Sequence, residues 1–333
     1  LKEDNTLTAE LADGWYRGSI GAFGPRNVFG RETKLLIQLE IFYADGSKDC
    51  IITDESWGWS NDGPIRFADL EDGEIVDARM KPTYSKKAAL SDSKGLPVPT
   101  ASDNVLPKTH ERFPAKLIIT PSGNRVLDFG RNLAGFISFT VQGKPGQLLK
   151  LRLGEILDEN GEFTQRNMQE IRPVKEYNQV TELLFVTGMG KFYRGETQPT
   201  PLQEIRFFCS GETDHYETKF AISGFRYALV ETEVPVDPAV FNSVAVYSDM
   251  EQTGDFSCSN ADINQLVRNN RWSMKSNYCD VPTDCPTRER LAWTGDAQIY
   301  FNTGAYFMNV APFMRKWMRD MKDGQMKNGK LPA

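Results

Sequence analysis

The chain has 333 residues, 40% of them apolar and 25% charged, with a formal net charge of −6. That length holds two or three domains, each able to bury its own core, and the composition is that of a soluble globular protein. An acidic balance argues against nucleic acid as the main partner, because phosphate binding needs a basic surface, and no apolar run approaches the roughly eighteen residues of a membrane span.

Leu1 to Glu10 has no basic stretch followed by an apolar one, so no signal peptide is read there. Up to about residue 255 the pattern is β. Lys34 to Tyr43 (KLLIQLEIFY) reads as a strand, and Asp45-Gly46 as a hairpin turn before Asp49 to Thr53. Trp15, Tyr16, Trp57 and Trp59 put aromatic bulk beside these strands, where packing is favoured over a sugar platform. Residues 1–84 are therefore expected to form a first, sandwich-like β domain, incomplete at its start. From Ser85 to Glu111 the chain is polar, with Pro97, Pro99 and Pro107, and residues 85–112 read as a linker or long loop.

A second β-sandwich is expected over 113–250. Its strand candidates are Leu117 to Thr120, Arg125 to Phe129, Phe136 to Val141, Leu148 to Gly154, Tyr216 to Phe220 and Phe225 to Glu231, separated by turn signals such as Pro121-Ser122-Gly123 and Lys144-Pro145-Gly146. The period then changes. Ser259 and Asp262 form a capping-box-like pair, followed by Ile263, Val267, Met274 and Tyr278 on one helical face. A second helix is predicted from about Gly295 to Phe307. Pro312 opens a third, with Phe313, Trp317 and Met321 on one side. Residues 251–333 thus read as the start of a larger helical domain, because so few helices have little to pack against.

Five cysteines, never spaced C-x-x-C, argue against a disulfide framework or zinc site and for mostly buried free thiols. The two histidines, His110 and His215, sit in no serine or cysteine nucleophile motif. The chemistry concentrates instead in Asp284-Cys285-Pro286-Thr287-Arg288-Glu289-Arg290-Leu291-Ala292-Trp293-Thr294-Gly295-Asp296. Pro282 and Pro286 keep a helix from running through it. Carboxylates accept paired hydrogen bonds from vicinal hydroxyls, an indole covers a sugar ring, and a protonated carboxyl can donate to a glycosidic oxygen. The same residues also suit a helix-entry loop in which Arg288 and Arg290 pair with Asp284, Glu289 or Asp296 and Trp293 anchors the helix.

The run D-C-P-T-R-E-R-L-A-W-T-G-D resembles the signature of the bacterial α-L-rhamnosidases of glycoside hydrolase family 78. Gly14-Trp15-Tyr16-Arg17-Gly18, Asp45-Gly46-Ser47, Thr53-Asp54-Glu55-Ser56-Trp57, Gly63-Pro64-Ile65 and Asp72-Gly73-Glu74 with Asp77-Ala78-Arg79 are similar to that family's N-terminal β domain. Asp128-Phe129-Gly130-Arg131-Asn132 with Gly135, Gly154-Glu155-Ile156-Leu157 and Gly224-Phe225-Arg226-Tyr227 are similar to its following sandwich.

The resemblance implies two all-β sandwich-like domains followed by the first helices of an (α/α)6 catalytic barrel. It implies an inverting exo-glycosidase that removes terminal α-L-rhamnose from glycans or glycosides. Glu289 would be the general acid; Asp284 and Asp296 would bind rhamnose hydroxyls, Trp293 would flank the sugar, and Arg288 would contact it or orient the carboxylates. No metal and no cofactor is expected. Thr287 and Ala292 depart from the glutamine and glycine commoner in the family, and Met189 to Glu204 matches no family motif.

An inverting enzyme needs a second carboxylate, about 6.5–9.5 Å from the first, to activate water. In this family that base lies late in the barrel, and its motif is not seen here. Leu1-Lys2-Glu3-Asp4-Asn5 resembles the middle of the N-terminal domain, so the chain is expected to be a fragment at both ends and inactive alone. A related inverting glycosidase for another deoxy or L-sugar, and a carbohydrate-binding relative without catalysis, are the alternatives. Periplasm and cytoplasm both stay open as the compartment.

Overall fold

In the computed structural model, residues 4–20, 26–92, 98–99, 101–102, 105–173 and 197–332 are described, with backbone alone for 170–173 and 197–200. Among them, the Asp45-Gly46 turn joins β1 (Gln38–Phe42) to β2 (Lys48–Ile52) in an antiparallel pair, with Gly46 at φ +86°. The Ser47 amide and hydroxyl both donate to the Asp45 carboxylate and hold the turn.

The main sheet contains β3 (Ile65–Asp69), β4 (Gly73–Asp77), β5 (Pro107–Pro114), β6 (Lys116–Ile119), β7 (Arg125–Gln142), β8 (Leu148–Gly154), β9 (Glu204–Phe208), β10 (Thr213–Glu217), β11 (Ser223–Thr232) and β12 (Phe241–Ser248). Its path runs β3-β4-β9-β8-β11-β7-β12-β5, with β6 and β10 also paired to β7. The segments expected at 125–129 and 136–141 are one strand. Gly130, at φ +80°, lets it bend, and at Gly135 a side chain would strike the Val244 carbonyl of β12. The first half of β7 pairs with β6 and β11, and its second half with β12 and β10, so one strand serves both ends of the sandwich.

Within the core, the Phe139 ring meets Phe207 edge-on at 5.3 Å and stacks on Phe241 at 5.5 Å. From Leu133 to Phe139 burial is continuous rather than alternating, because both faces of β7 are covered. Helix α1 (Ala261–Asn277) supplies part of the outer cover: the Ala134 amide donates to Ser276 Oγ at 3.3 Å, and Trp272 packs against the sandwich core. Lys275 of the same helix donates to Glu111 of β5 at 2.6 Å.

Several expectations are corrected. Pro107–Pro114, in the stretch read as a linker, pairs with β12; its pattern of polar and apolar residues suits an edge strand with one wet face. Two further strands of the main sheet, β3 and β4, lie within residues 1–84, so the first β region contributes directly to the second. The cap of α1 is Asn260, whose side chain accepts from the Asp262 and Ile263 amides, and not Ser259. The cysteines are free, but only Cys209 is fully buried; Cys50 and Cys258 are exposed. Of the stretch 189–204, residues up to 196 lie outside the described ones.

After α1, a short hairpin of β13 (Tyr278–Cys279) and β14 (Val281–Pro282) turns at Asp280, which has φ +67° and donates its amide to Ser248 Oγ at 3.0 Å. Helices α2 (Thr294–Phe307) and α3 (Ala311–Asp323) follow. Tyr278, Phe307, Met308 and Phe313 form their shared core, with the Tyr278 and Phe313 rings stacked at 4.8 Å. Among the described residues no helix is long and apolar enough to cross a membrane.

Candidate active site

The loop between β14 and α2 is closed on itself. The Asp284 amide donates to the Leu291 carbonyl and the Leu291 amide returns to Asp284 Oδ1, both at 3.0 Å. Residues 285–290 are pinched out between these contacts, as expected of a segment that Pro282 and Pro286 keep out of helical geometry. Asp284 is half-buried. Burial pushes its carboxyl above the usual range and the neighbouring Glu289 charge adds to this, while hydrogen bonds from Cys285 and Leu291 oppose it.

Glu289 is also half-buried, and its Oε2 accepts the Trp293 indole N–H at 2.9 Å. Trp293 precedes the first turn of α2, so a helix terminus fixes the ring that orients the carboxylate. Asp296 lies in that first turn and is exposed, where the N-terminal end of the helix favours a negative charge. Arg288 is half-buried and makes no ion pair with the three carboxylates among the described residues. The structure thus joins Glu289 to Trp293 and ties Asp284 to Leu291, with Arg288 on the same loop and Asp296 in the helical turn that follows it.

Arg290 does not pair with Asp284, Glu289 or Asp296. It is buried at φ +54°, and its Nε donates to the Thr287 carbonyl at 3.0 Å. Nη1 donates to the carbonyls of Leu70, at 2.5 Å, and Ile222; Nη2 reaches Gln203 Oε1 at 3.4 Å. Burial lowers the affinity of this guanidinium for its proton, and the carboxylates of Glu71 and Asp69 counter that.

Gln203 was not legible as important. It is fully buried at φ +44°; its amide group donates to the Gly224 carbonyl at 2.9 Å and its Oε1 accepts the Gly224 amide at 3.1 Å. Gly224 in turn lies against Pro286 and Thr287 of the loop, where a Cβ would come within 2.8 Å and 2.7 Å of their side chains. Buried Glu74 accepts the amides of Lys219, Phe220 and Ala221 and the Tyr216 hydroxyl. The Gly224-Phe225-Arg226-Tyr227 and Asp72-Gly73-Glu74 likenesses mark two of the segments involved, whereas nothing in the pattern around Gln203 reveals the contact.

Comparison with known proteins agrees along the chain. Residues 1–114 match the α-L-rhamnosidase N-terminal domain, 118–247 the bacterial α-L-rhamnosidase concanavalin-like domain, and 251–333 the bacterial α-L-rhamnosidase 6-hairpin glycosidase domain. The chain belongs to the bacterial α-L-rhamnosidase family.

Within that family, an α-L-rhamnosidase of Streptomyces avermitilis is 32% identical over 98% of this chain and 30% of its own length. The solved structure of the Streptomyces avermitilis α-L-rhamnosidase complexed with L-rhamnose superposes with a TM-score of 0.79 and 29% identity, covering 96% of this chain and 29% of that one. The native α-L-rhamnosidase of Aspergillus terreus gives a TM-score of 0.76 and 32% identity over 94% of this chain and 34% of that one. The chain therefore spans about a third of the length of the rhamnosidases it matches. In this family setting, the β-rich regions and the helices after residue 251 take the order that the family domains have.

Proposed function

We propose that this chain contributes the acid side of the active site of an inverting, exo-acting α-L-rhamnosidase. The observation that supports it most is the Trp293 indole N–H on Glu289 Oε2, beside a half-buried Asp284. A general acid must present its proton in one direction, and a donor fixed on one oxygen leaves the other, Oε1, to carry it. Asp284, tied at Oδ1 to the loop backbone, is a carboxylate held in place to accept from a sugar hydroxyl. Asp296 on the exposed first helical turn is a second hydroxyl acceptor, Trp293 flanks the ring, and Arg288 contacts the sugar or orients the carboxylates. The substrate is a terminal α-L-rhamnose of a glycan or glycoside, and the water-activating carboxylate is assigned to no residue of this chain.

The test is turnover of an aryl α-L-rhamnoside by the full-length protein, with Glu289→Gln beside it. Loss of the acid should lower kcat by about 100- to 10,000-fold, and NMR of the first product should show β-L-rhamnose, the inverted anomer. Undiminished turnover in the variant removes Glu289 as the acid. Hydrolysis of another deoxy or L-sugar glycoside in place of rhamnosides corrects the substrate, and rhamnose binding without turnover makes the protein a carbohydrate-binding relative.

A further inference from the structure

We propose that Arg290 is a positioning residue for the general acid, through which the two β regions set the direction of Glu289; this rests on the assignment of Glu289 as acid. Its guanidinium takes one acceptor from the loop itself (Thr287), one from the turn after β3 (Leu70), one from the segment before β11 (Ile222), and the side chain of Gln203 ahead of β9. Four acceptors from four parts of the chain meet one side chain, and each part is itself anchored.

Glu74 takes the amides of 219–221 just before Ile222. The Asp69 carboxylate takes the amides of Glu71 and Asp72 just after Leu70, and also Arg26 at 2.5 Å. Gln203 receives the Gly224 amide and gives its own amide to the Glu71 carbonyl at 3.1 Å. The acceptors around Arg290 are thus held rigidly, and so is the cation they surround.

A charge so buried is poor economy for stability alone, since an apolar side chain of similar volume often does as well there. The backbone at Arg290 is also in the left-handed region, which β-carbon-bearing residues rarely adopt. Together they turn the chain sharply between residue 289, whose carboxylate faces Trp293, and residue 290, whose cation enters the β regions. Because the guanidinium is bonded elsewhere, it does not ion-pair with Glu289.

A positioning role has a signature that a purely structural one lacks. Protonation of the leaving group matters for phenyl α-L-rhamnoside, whose phenolate departs poorly, and little for 2,4-dinitrophenyl α-L-rhamnoside, which leaves as its anion. In the full-length protein, Arg290→Gly, which tolerates the backbone, and Arg290→Lys, which keeps a cation but not the planar fork, are compared on both substrates. The expected result is a fall in kcat of about 100-fold on the phenyl glycoside, the cost of a misplaced catalytic group, and less than about tenfold on the dinitrophenyl one. KM should change by less than about threefold, and millimolar guanidinium should partly restore Arg290→Gly.

Equal losses on both substrates, or no loss on either, overturn the positioning role. If Arg290→Gly does not fold, Arg290→Lys decides alone by the same comparison. Glu289→Gln, run in parallel, must show the same dependence on leaving group. Its failure to do so indicts the acid assignment, whereas success there with unselective Arg290 variants indicts this inference.

Discussion

A single methyl group placed between the sandwich and the acid loop should disturb catalysis more than stability. At Gly224 an added Cβ would stand 2.7 Å from Thr287 Cγ2 and 2.8 Å from Pro286 Cγ. Raising the nearer approach to an ordinary 3.4 Å contact requires about 0.7 Å of movement. The sandwich side has little give, because Gln203 holds both polar groups of Gly224. The displacement therefore falls on residues 286–287, two residues from Glu289. Overpacking of this size costs about 1–3 kcal/mol, which should lower the thermal midpoint of the full-length protein without unfolding it.

Catalysis is more sensitive, since a misplacement of about 1 Å can cost about 100-fold; Gly224→Ala is expected to lose at least about tenfold in kcat on an aryl α-L-rhamnoside. Thr287→Ser removes the nearest obstructing atom, so the double variant should recover part of the loss, as a coupled pair does. An unchanged kcat in Gly224→Ala, or a double variant no better than the single one, would refute the contact as the route from sandwich to loop.

Three further outcomes follow from other parts of the molecule. At Gly73, φ +108°, a Cβ would fall on the Glu204 carbonyl oxygen and 2.8 Å from its C and N, so Gly73→Ala should cost about 3 kcal/mol or more; an unaltered melting curve would contradict the parallel pairing of β4 with β9. Trp293→Phe keeps an aromatic face but removes the donor to Glu289, and kcat is expected to fall about tenfold, measured by steady-state kinetics. Burial, with the Glu289 charge, raises the Asp284 carboxyl. A carboxyl with a raised folded pKa opposes folding once pH climbs past its unfolded value. Asp284→Asn should therefore raise the thermal midpoint at neutral pH while abolishing turnover, and the gain should vanish as pH drops below the ordinary carboxylate range.

Local chemistry made much of this legible. Pro312 lies in the first turn of α3, Asp45-Gly46 turns a hairpin, and Leu148 to Gly154 forms β8 with the bounds its apolar alternation suggests. The family motifs singled out residues 284–296, the loop and first helical turn proposed to carry the acid. What stayed hidden depended on partners far away in sequence. The linker-like polar stretch contains β5 because β12 offers it an edge, and no residue near Pro107 announces that. Arg290 reads in the sequence as an ion-pair partner of the nearby carboxylates, whereas its acceptors lie 68, 87 and 220 residues distant as well as within the loop. Gln203 looked like part of an unmatched stretch for the same reason: a buried amide linking two backbones leaves no periodic trace.

The parallel register of Gly73–Asp77 on Glu204–Phe208 has a consequence for anyone who would divide the protein. Removing everything before the polar stretch would strip β3 and β4 from the sheet and leave β9 as a bare border, its amides and carbonyls open to pair with any passing strand. Such a trimmed protein should self-associate through that border. Modular swaps in this family would accordingly exchange the first β region together with the strand it covers, treating 65–77 and 204–208 as a single inherited piece.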